Sequence, residues 1–526
     1  MIKIKENIIP WIDESPTSYA DRIGILYSAV RSDEFKKKNG QFFTPPDISH
    51  FMSSLADFKG EDVKILDPGT GIGILSLSLI ETLVTNNKKI KKIDLVAYET
   101  DSKLINYTQE SFSYLKKWLK NRKIKFDYIL RANDYISDNK YVLNGKENVE
   151  LYDIVISNPP YFKLSNSDER VKSVKQIIHG QANIYSLFLY LSARLLKNNG
   201  ELIFIIPRSF TSGLYFKAFR EKFFEMISLK KIHIFGSRKL AFNRDEVLLE
   251  NIIIQGVKNN NLQNSTIEIS NSNGTLDLAH LRKRIFFASD LIDLNSEHKI
   301  LHIPSTTEEE LAIIKFKEWK NNLFKYSIKI STGPVVSFRA KDYISQLPTK
   351  KCVPLFSLNH VKKMELTWPL NGYNKPEYVQ LTQSTVPILI PNRNYIFLRR
   401  FSAKDDKSRL IACPYFSEEY DVDLIGVENH LNYLYKTDNT FHRNELLGLC
   451  ALLNSSLFDS YFRSFNGNIN VSATELREMT LPTLEQIIEI GNVILVKKET
   501  TQEIIDTIVE DVLMLVDNTK KVYVKN

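Results

Sequence analysis

Apolar runs alternate with segments of helical periodicity along the first half of the chain. The helical segments carry apolar residues three and four positions apart and predict helices over residues 18–38, 74–83, 103–119 and 183–197. The short apolar runs between them predict strands over residues 63–67, 94–98, 126–130, 153–157 and 201–207. Strands that alternate with helices are typical of a doubly wound, mainly parallel sheet. Unbroken apolar strands such as "DIVIS" fit a sheet that helices cover on both faces.

Two further strands are predicted over residues 230–235 and 248–256, and the pattern changes after them. The stretch "KNNNLQNSTIEISNSNGT" is rich in Asn and Ser and is interpreted as a loop. From about residue 331 the predicted strands are short, and the end of the chain returns to helical periodicity. We therefore expect a Rossmann-like α/β domain over residues 1–300. A mixed α/β domain with a helical tail is expected over residues 301–526.

The composition of the 526-residue chain argues against several classes of protein. No stretch is apolar and long enough to span a membrane, and the charged N-terminus "MIKIKENIIPWIDE" does not resemble a signal peptide. Cys352, Cys413 and Cys450 form no CxxC pair, which argues against a disulfide framework or a metal site. We expect a cytoplasmic monomer without metal or membrane. The net charge of +8 permits a polyanionic partner but fits a solvated, lysine-rich surface equally well.

Three glycines connect the first strand of the alternating pattern to the helix that follows. In "ILDPGTGIG" the strand ends at Asp67, and Gly69, Gly71 and Gly73 come next. Glycines let the backbone approach a ligand closely, and a helix start offers N–H groups. A dinucleotide fingerprint would need glycine where this chain has Ile74. The loop therefore suits a nucleoside ligand without a pyrophosphate.

Acidic residues follow the next two predicted strands. Glu99 in "AYETD" is placed to accept hydrogen bonds from ribose hydroxyls, and Asp134 in "RANDY" is placed to accept one from an adenine amine. Alone, each feature is better explained as a turn glycine or a helix-capping acid. Ligands of open α/β sheets bind at the carboxyl ends of the strands. Because three such features follow one another, each one strand further on, they indicate a site for S-adenosylmethionine.

The fourth strand ends in "DIVISNPPYFK", where Asn158 is followed by Pro159, Pro160 and Tyr161. The Asn158 side-chain oxygen and the Pro159 carbonyl are two acceptors for one exocyclic amine, and the prolines hold them rigidly. Tyr161 can stack on the base that carries the amine. This arrangement predicts methyl transfer by direct displacement on a base flipped out of a duplex. A strand-ending turn with a surface tyrosine is the alternative, and the upstream glycine loop argues against it.

The motifs resemble those of the gamma-class DNA adenine methyltransferases, the TaqI-like enzymes, in type and order. The resemblance covers residues 40–257 and is carried by "GQFFTPPDISHFM", "ILDPGTGIG", "AYETD", "RANDY", "DIVISNPPY" and "LLENIIIQG". It implies that the "TPP" segment, which begins at Thr44, helps to close the cofactor pocket, and that the NPPY segment holds the target adenine. Thr44 is also expected to cap the helix that Pro45 and Pro46 begin. Cytosine-amine enzymes usually carry Ser in place of Asn158, which favours adenine.

The C-terminal half resembles the PstI/BsuBI-like restriction–modification methyltransferases, notably in "ISTGPVVSFR", "NYIFLRRFSAKDDKSRLIA" and "LNSSLFDSYFRSFNGNINVSATELR". In that branch this region recognises the target, which implies double-stranded DNA as a partner. The sequence leaves open whether a separate cognate restriction endonuclease acts beside the enzyme. From its residues alone, a dense basic patch fits phosphate contacts and a charged hairpin with its aromatic residues in the core equally well, and the resemblance favours contact with DNA. The patch consists of Arg393, Arg399, Arg400, Lys404, Lys407 and Arg409.

Two aromatic residues compete as the second ring against the flipped base. The TaqI-like pattern has a phenylalanine five residues before a valine at the start of the last long strand, and Phe242 stands in that position before Val247. Phe235 ends an apolar strand and is expected to lie in the core. Phe242 is therefore assigned to the catalytic pocket opposite Tyr161.

Other proteins share parts of this pattern. A protein glutamine methyltransferase uses the same NPPY chemistry, but such enzymes are shorter and lack a large C-terminal region. An RNA adenine methyltransferase is a weaker rival. A DNA-binding specificity protein with an inactive catalytic domain would not need the intact Asp67, Asn158 and Tyr161. The predicted function is therefore site-specific methylation of the N6 amine of adenine in DNA.

Overall fold

The computed structural model of the chain describes residues 8–29, 43–144, 150–174, 177–178, 180–236, 250–259, 261–349, 351–402, 406–438 and 440–514. The chain forms two compact units, Met1–Ile303 and Pro304–Asn526. This division falls three residues after the boundary expected at residue 300. None of the described helices is long and apolar enough to cross a membrane.

A nine-stranded sheet forms the centre of the first unit, within the described residues. Its strands lie in the order β3-β2-β1-β4-β5-β7-β6-β8-β9. Strands β1 to β5 pair in parallel, and β7 runs antiparallel to both of its neighbours. The bounds are β1 (Asp62–Asp67), β2 (Lys92–Tyr98), β3 (Lys125–Arg131), β4 (Tyr152–Ser157), β5 (Leu196–Pro207), β6 (Ile227–Phe235), β7 (Asn251–Lys258), β8 (Thr266–Ser272) and β9 (Arg282–Phe287).

Helices cover both faces of this sheet. One layer contains α1 (Pro16–Ser28), α2 (Pro46–Ser54), α3 (Ile74–Asn86) and α4 (Ser102–Lys120). The other contains α5 (Tyr135–Asn139), α6 (Glu169–Lys172), α7 (Ile184–Leu195), α8 (Lys217–Met226) and α9 (Ala288–Leu291). The central strands are buried on both sides, as their unbroken apolar sequences require. The Rossmann-like α/β fold expected from the sequence is confirmed.

Two expectations about this unit were wrong in detail. The first helix ends at Ser28, ten residues before the expected end, and residues 30–42 lie outside the described part. The Asn- and Ser-rich stretch is not only a loop, because it contains β8, which pairs in parallel with β6. Ile267 and Ile269 alternate with polar residues and are buried. This alternation is the signature of a strand with one buried face, and the neighbouring Asn and Ser residues concealed it.

In the second unit, the described residues form two small sheets and a two-stranded β-ribbon. A four-stranded antiparallel sheet has the order β10-β20-β17-β18, and a five-stranded sheet has the order β11-β15-β12-β19-β16. The strands are β10 (Ile328–Thr332), β11 (Ile344–Ser345), β12 (Cys352–Phe356), β13 (Val361–Lys362), β14 (Glu365–Leu366), β15 (Tyr378–Gln380), β16 (Ile390–Pro391), β17 (Tyr395–Arg399), β18 (Ala412–Tyr415), β19 (Leu424–Val427) and β20 (Leu431–Lys436).

Helices precede and follow the sheets of the second unit. They are α10 (Thr307–Glu318), α11 (Arg443–Asn454), α12 (Ser456–Phe465), α13 (Ala473–Glu478), α14 (Leu484–Leu495) and α15 (Gln502–Val512). Two glycines allow α11 and α14 to pack in close contact. A Cβ on Gly448 would lie 1.8 Å from the Ile487 carbonyl oxygen, and one on Gly491 would lie 1.7 Å from that of Asn444. The helical tail therefore docks by backbone contact that no larger residue would permit.

Candidate active site

The glycine loop joins β1 to α3 and is held by a buried carboxylate. Asp67 Oδ2 accepts hydrogen bonds from Thr70 Oγ1 at 2.9 Å and from Ser76 Oγ at 2.6 Å. Burial raises the pKa of Asp67 to about 6, although these hydrogen bonds oppose the shift. Its second oxygen, Oδ1, is buried and has no hydrogen-bond partner among the described residues. An acceptor in this state, at the carboxyl end of β1, fits a ligand that donates a hydrogen bond.

The backbone of the loop requires glycine at two positions. Gly71 and Gly73 have φ angles of +55° and +90°, a region that disfavours residues with a Cβ atom. A Cβ on Gly71 would lie 3.2 Å from the Phe43 ring, and one on Gly73 would lie 2.7 Å from the Phe112 ring. The loop therefore presents backbone rather than side chains to a ligand at the strand edge.

Glu99 lies at the carboxyl end of β2, beside this loop. Its carboxylate accepts a hydrogen bond from the Asp101 backbone N–H at 2.8 Å. Burial raises the pKa of Glu99 to about 7, while backbone N–H groups such as that of Gly71 lower it. Asp101 caps α4 and accepts a hydrogen bond from the Tyr27 hydroxyl, which links α1 to the same corner. A half-buried carboxylate held in this way fits the two hydroxyls of a ribose.

Asp134 follows β3, but its carboxylate already has partners. It caps α5 by accepting from the Ser137 N–H at 2.8 Å, and it pairs with Arg170 at 3.4 Å. The helix-capping role weighed for this residue is therefore present. Carboxylate oxygens have further lone pairs, so the role of Asp134 as an acceptor for adenine stays a prediction.

Asn158 follows β4 and contacts the "TPP" segment. Its Nδ2 donates to Thr44 Oγ1 at 3.1 Å. Thr44 is buried and does not cap α2, because the capping position belongs to Pro45, which has no side-chain donor or acceptor. The expected cap was therefore wrong. The Thr44 hydroxyl instead orients the Asn158 carboxamide and leaves Oδ1 as its acceptor end.

Tyr161 lies against that acceptor. Its hydroxyl is 2.5 Å from Asn158 Oδ1 and 2.8 Å from the Ile205 carbonyl oxygen on β5. Burial raises the pKa of Tyr161, so the hydroxyl remains a donor at neutral pH. It has one proton for two acceptors, and it can keep the Ile205 bond if another donor takes Asn158 Oδ1. The ring packs edge-on against Tyr185, with centroids 6.3 Å apart.

Phe242 and the other residues of 237–249 lie outside the described part of the structure. The competing candidate Phe235 is buried in the core layer that contains α1 to α4, as expected for a residue that ends an apolar strand. Its ring packs against His233, with centroids 4.7 Å apart. The assignment of Phe242 stays a prediction.

The basic patch of the second unit divides into structural and exposed residues. Arg409 is buried, and its guanidinium donates to Ser402 Oγ at 3.0 Å and to Asn466 Oδ1 at 2.8 Å. The expectation that Arg409 contacts phosphate is therefore wrong, because its side chain holds together segments that are distant in sequence. Arg393 and Lys407 are exposed, and Lys404 lies outside the described residues.

Arg399 and Arg400 are half-buried, and one guanidinium nitrogen of each donates a hydrogen bond to a backbone carbonyl. Arg399 Nε donates to the Val361 carbonyl at 2.8 Å, and Arg400 Nη1 donates to the Asn429 carbonyl at 2.9 Å. Burial lowers the pKa of Arg399. Tyr395 and Phe397 from the same stretch are in the core. In this part of the patch, the aromatic residues lie in the core and the arginines bind the protein's own backbone, as expected for a charged hairpin.

Several residues of the site had not been selected from the sequence. Thr70 and Ser76 orient Asp67, Phe43 packs on Gly71, and Tyr27 holds Asp101. Hydroxyl residues three and nine positions after a strand-ending acid are a signal that could have identified the first two. Tyr27 and Phe43 lie far from the glycine loop in sequence, and only the fold brings them to it.

Comparisons with known proteins define the class of this fold. A model of the family "Eco57I restriction-modification methylase" matches residues 72–242. The chain also superposes on a cryo-EM structure of a DrdV–DNA complex with a TM-score of 0.51 and 14% identity, over 91% of this chain and 59% of that one. Residues 72–242 are thus similar to a restriction–modification methylase, and the chain shares its fold with part of the larger DrdV chain.

Relatives of the same length place the chain more narrowly. It is 34% identical to the type II methyltransferase M.BsuBI of Bacillus subtilis over 91% of this chain and 95% of the relative. It is 29% identical to the type II methyltransferase M.PstI of Providencia stuartii, over 91% of this chain and 95% of that relative. The chain therefore belongs to the type II restriction–modification methyltransferases, as its motifs had indicated.

Proposed function

We propose that this DNA methyltransferase transfers a methyl group from S-adenosylmethionine to the N6 amine of an adenine flipped out of double-stranded DNA. The observation that carries the proposal is the Asn158 carboxamide, whose nitrogen is bound to Thr44 and whose oxygen faces Tyr161. A fixed acceptor beside an aromatic ring, at the carboxyl end of β4, suits an amine on a planar base. Family membership supports methylation and argues against the protein glutamine and RNA alternatives.

The cofactor would lie across the carboxyl ends of β1 and β2. Bound S-adenosylmethionine supplies an electrophilic methyl group on a sulfonium. The glycine loop would offer backbone N–H groups, and Glu99 would accept from the ribose hydroxyls. Asp67 Oδ1, buried without a partner among the described residues, would accept a further hydrogen bond. These three features share one edge of the sheet, so the residues present fit the group.

Asn158 and Pro159 would prepare the amine for attack. Asn158 Oδ1 would accept one amine proton in place of the Tyr161 hydroxyl, which keeps its bond to Ile205. The Pro159 carbonyl would accept the second proton. Two acceptors in the amine plane localise the nitrogen lone pair, and their fixed positions require no reorganisation during the reaction. The amine nitrogen would then bond to the methyl carbon that the cofactor supplies as its sulfur–carbon bond breaks, and the released amine proton would pass to solvent.

The target base must leave the duplex to reach this pocket. Asn158 favours adenine, because the cytosine-amine enzymes that share the motif usually carry serine at this position. Tyr161 would support one face of the base. We propose residues 304–526 as the region that recognises the DNA sequence. In a restriction–modification system, a separate cognate restriction endonuclease would cleave the same sequence when it is unmethylated.

Sequencing DNA from a host that expresses the chain tests this function. A method that detects N6-methyladenine should find it at a single short motif that is unmodified in the host without the gene. The absence of N6-methyladenine at any such motif would contradict the proposal. A motif found in this way defines the cognate duplex for the experiments below.

Phe242 is proposed as the ring on the other face of the base, and its replacement tests that role. With 2-aminopurine at the target position, Phe242→Ala should change the fluorescence of the bound duplex and lower turnover. Aromatic stacking contributes about 1–3 kcal/mol per base, so turnover should fall by roughly tenfold to a hundredfold, with little loss of DNA affinity. A bound-state signal identical to that of the wild type would move the role to another residue.

The exposed basic residues Arg393 and Lys407 are the revised candidates for phosphate contacts. Replacing both with glutamine should weaken binding to every duplex and flatten the plot of log affinity against log salt by about two units, roughly one per contact. Lys498→Gln, an exposed change outside the patch, is the control. An unchanged slope in the double variant would show that the patch does not contact DNA.

A further inference from the structure

Asn251 is the first residue of β7, and its buried carboxamide has no hydrogen-bond partner within the part of the chain that the structure describes. The residue is 4% exposed, and neither Oδ1 nor Nδ2 has a hydrogen-bond partner among the residues that the structure describes. A buried polar group left without a partner destabilises the folded state, and nearly all such groups in folded proteins are paired. An apolar residue would be more stable here, so the amide points to a ligand.

The sheet register places Asn251 beside the proposed base pocket. Strand β7 pairs with β5, with Asn251 opposite Pro207 and Ile253 opposite Ile205. Ile205 is the residue whose carbonyl binds the Tyr161 hydroxyl. Asn251 therefore lies on the strand next to β5. Along the strand direction it is two residues, about 7 Å, beyond Ile205 towards the carboxyl edge of the parallel strands.

Asn251 also lies on the face of the sheet that Asn158 uses. Side chains alternate between the two faces of a strand, so Asn251 shares its face with Ile253. Ile205 and Ile253 belong to the core layer that contains Ile48 of α2. Thr44, two residues before α2, is the partner of the Asn158 carboxamide. Both amides thus converge on one face at one edge.

The backbone before Asn251 is held in place by its neighbours. The Arg208 N–H donates to the Glu250 carbonyl at 2.8 Å, and the side chains of these residues form a buried ion pair at 3.1 Å. Arg208 also donates to the Ile303 carbonyl at 3.2 Å. A buried ion pair with further hydrogen bonds fixes the start of β7. The Asn251 amide is therefore presented from a rigid position.

We infer that Asn251 binds the ring edge of the target adenine, with Nδ2–H donating to a ring nitrogen next to the amine, N1 or N7. This inference rests on the proposed function, in which Asn158 and Pro159 occupy both amine protons. The remaining groups near the amine are ring nitrogens, which are acceptors, and a carboxamide is a donor that matches them. This contact gives the buried Asn251 amide a hydrogen-bond partner. It also fixes the orientation of the base in its plane, which the bonds to the amine alone do not.

Deaza bases test the contact, because they replace one ring nitrogen with a C–H group. Duplexes with 1-deazaadenine or 7-deazaadenine at the target position are compared with adenine for the wild type and for Asn251→Leu. One of the two bases should lower kcat/KM of the wild type by about tenfold, the loss expected for one hydrogen bond with its acceptor partner gone. Asn251→Leu should be slow on adenine by a similar factor and insensitive to the same deaza base.

Gln255→Leu is the matched control, because Gln255 is a second buried amide on the same strand and face. Its Nε2 donates to Glu201 at 3.1 Å, away from the catalytic edge. This variant should keep the deaza sensitivity of the wild type but unfold at a lower temperature. Asn251→Leu should unfold at an equal or higher temperature, since it removes no side-chain hydrogen bond to any of the described residues.

Equal deaza sensitivity in the wild type and Asn251→Leu would overturn the inference, as would a wild type indifferent to both bases. An Asn251→Leu protein that unfolds several degrees lower would also overturn it, because the amide would then have a structural partner. A wild type that methylates no adenine would instead overturn the proposed function, so the two failures can be told apart.

Discussion

Replacing Asn158 with alanine is expected to lower the rate of methyl transfer by about 10²–10³-fold, while the Kd of S-adenosylmethionine stays within about twofold. The magnitude is that of removing one fixed hydrogen-bonding group from a preorganised site. Asn158 Oδ1 is held in position by the bond between Nδ2 and Thr44, and truncation to alanine removes this acceptor. The amine would lose one of two acceptors, and its lone pair would no longer be directed at the methyl group.

Single-turnover kinetics and titration calorimetry separate the two effects. Asn158→Ser, which keeps a smaller oxygen acceptor, should be intermediate in rate between the wild type and the alanine variant. Near-normal turnover of Asn158→Ala on its cognate duplex would refute the assigned role. Loss of cofactor binding in step with turnover would place Asn158 in the cofactor site alone.

Replacing Glu99 with alanine should have the opposite profile, with cofactor binding lost first. Hydrogen bonds to a charged acceptor contribute about 1.5–3 kcal/mol each, so the Kd should rise by about tenfold to a hundredfold. At saturating cofactor the rate should approach that of the wild type. Asp94→Asn is the control, since Asp94 lies on the same strand but pairs with Lys92 at 2.7 Å. Unaltered cofactor affinity in Glu99→Ala would remove Glu99 from the site.

The pH dependence of the same carboxylate gives an independent check. Burial raises the pKa of Glu99 to about 7, so the group is largely protonated at pH 6 and ionised at pH 8. Ribose hydroxyls donate to the ionised form, so nucleoside affinity should rise as the pH rises through 7. 5′-Methylthioadenosine suits the titration because it carries the ribose without a titrating amino acid. Glu99→Gln should remove the part of the pH dependence that is centred near 7, while any part centred near 6 belongs to Asp67.

The protonation of Glu99 should also affect folding stability, which should fall with rising pH whereas nucleoside affinity rises. Between the ordinary pKa of 4.5 and about 7, the folded state retains a proton that the unfolded state has released. Folding stability therefore decreases as the pH rises through that window and levels off above it. Glu99→Gln should raise the unfolding temperature at pH 8 and leave it unchanged near pH 4, which identifies Glu99 as a residue retained for binding rather than for stability.

The central strands and the order of the site motifs could be predicted because they depend on local pattern. Buried parallel strands are continuous apolar runs, and their carboxyl ends gather at one edge whatever the side chains of the helices. Strand β4 was expected over residues 153–157 and is Tyr152–Ser157. The position of Asn158 directly after this strand could therefore be predicted from the sequence alone.

The remaining features depend on residues that are distant in the chain. Arg409 stands in a basic stretch, but Asn466, 57 residues later, draws it into the interior. Thr44 has the sequence context of a helix cap, and its real partner is 114 residues away. Asn251 belongs to an apolar strand motif, and only the fold shows that its amide lacks a partner among the described residues. Such pairings are tertiary, so a local pattern does not encode them.

The identity of the methylated nucleoside decides whether this protein methylates the N6 amine of adenine. Purified protein is incubated with S-adenosylmethionine and the duplex that contains its motif, and the DNA is digested to nucleosides for mass spectrometry. We expect N6-methyl-2′-deoxyadenosine as the methylated product, and we expect it to be lost with Asn158→Ala. N4-methylcytosine, 5-methylcytosine or no methylated nucleoside from the wild type would contradict it.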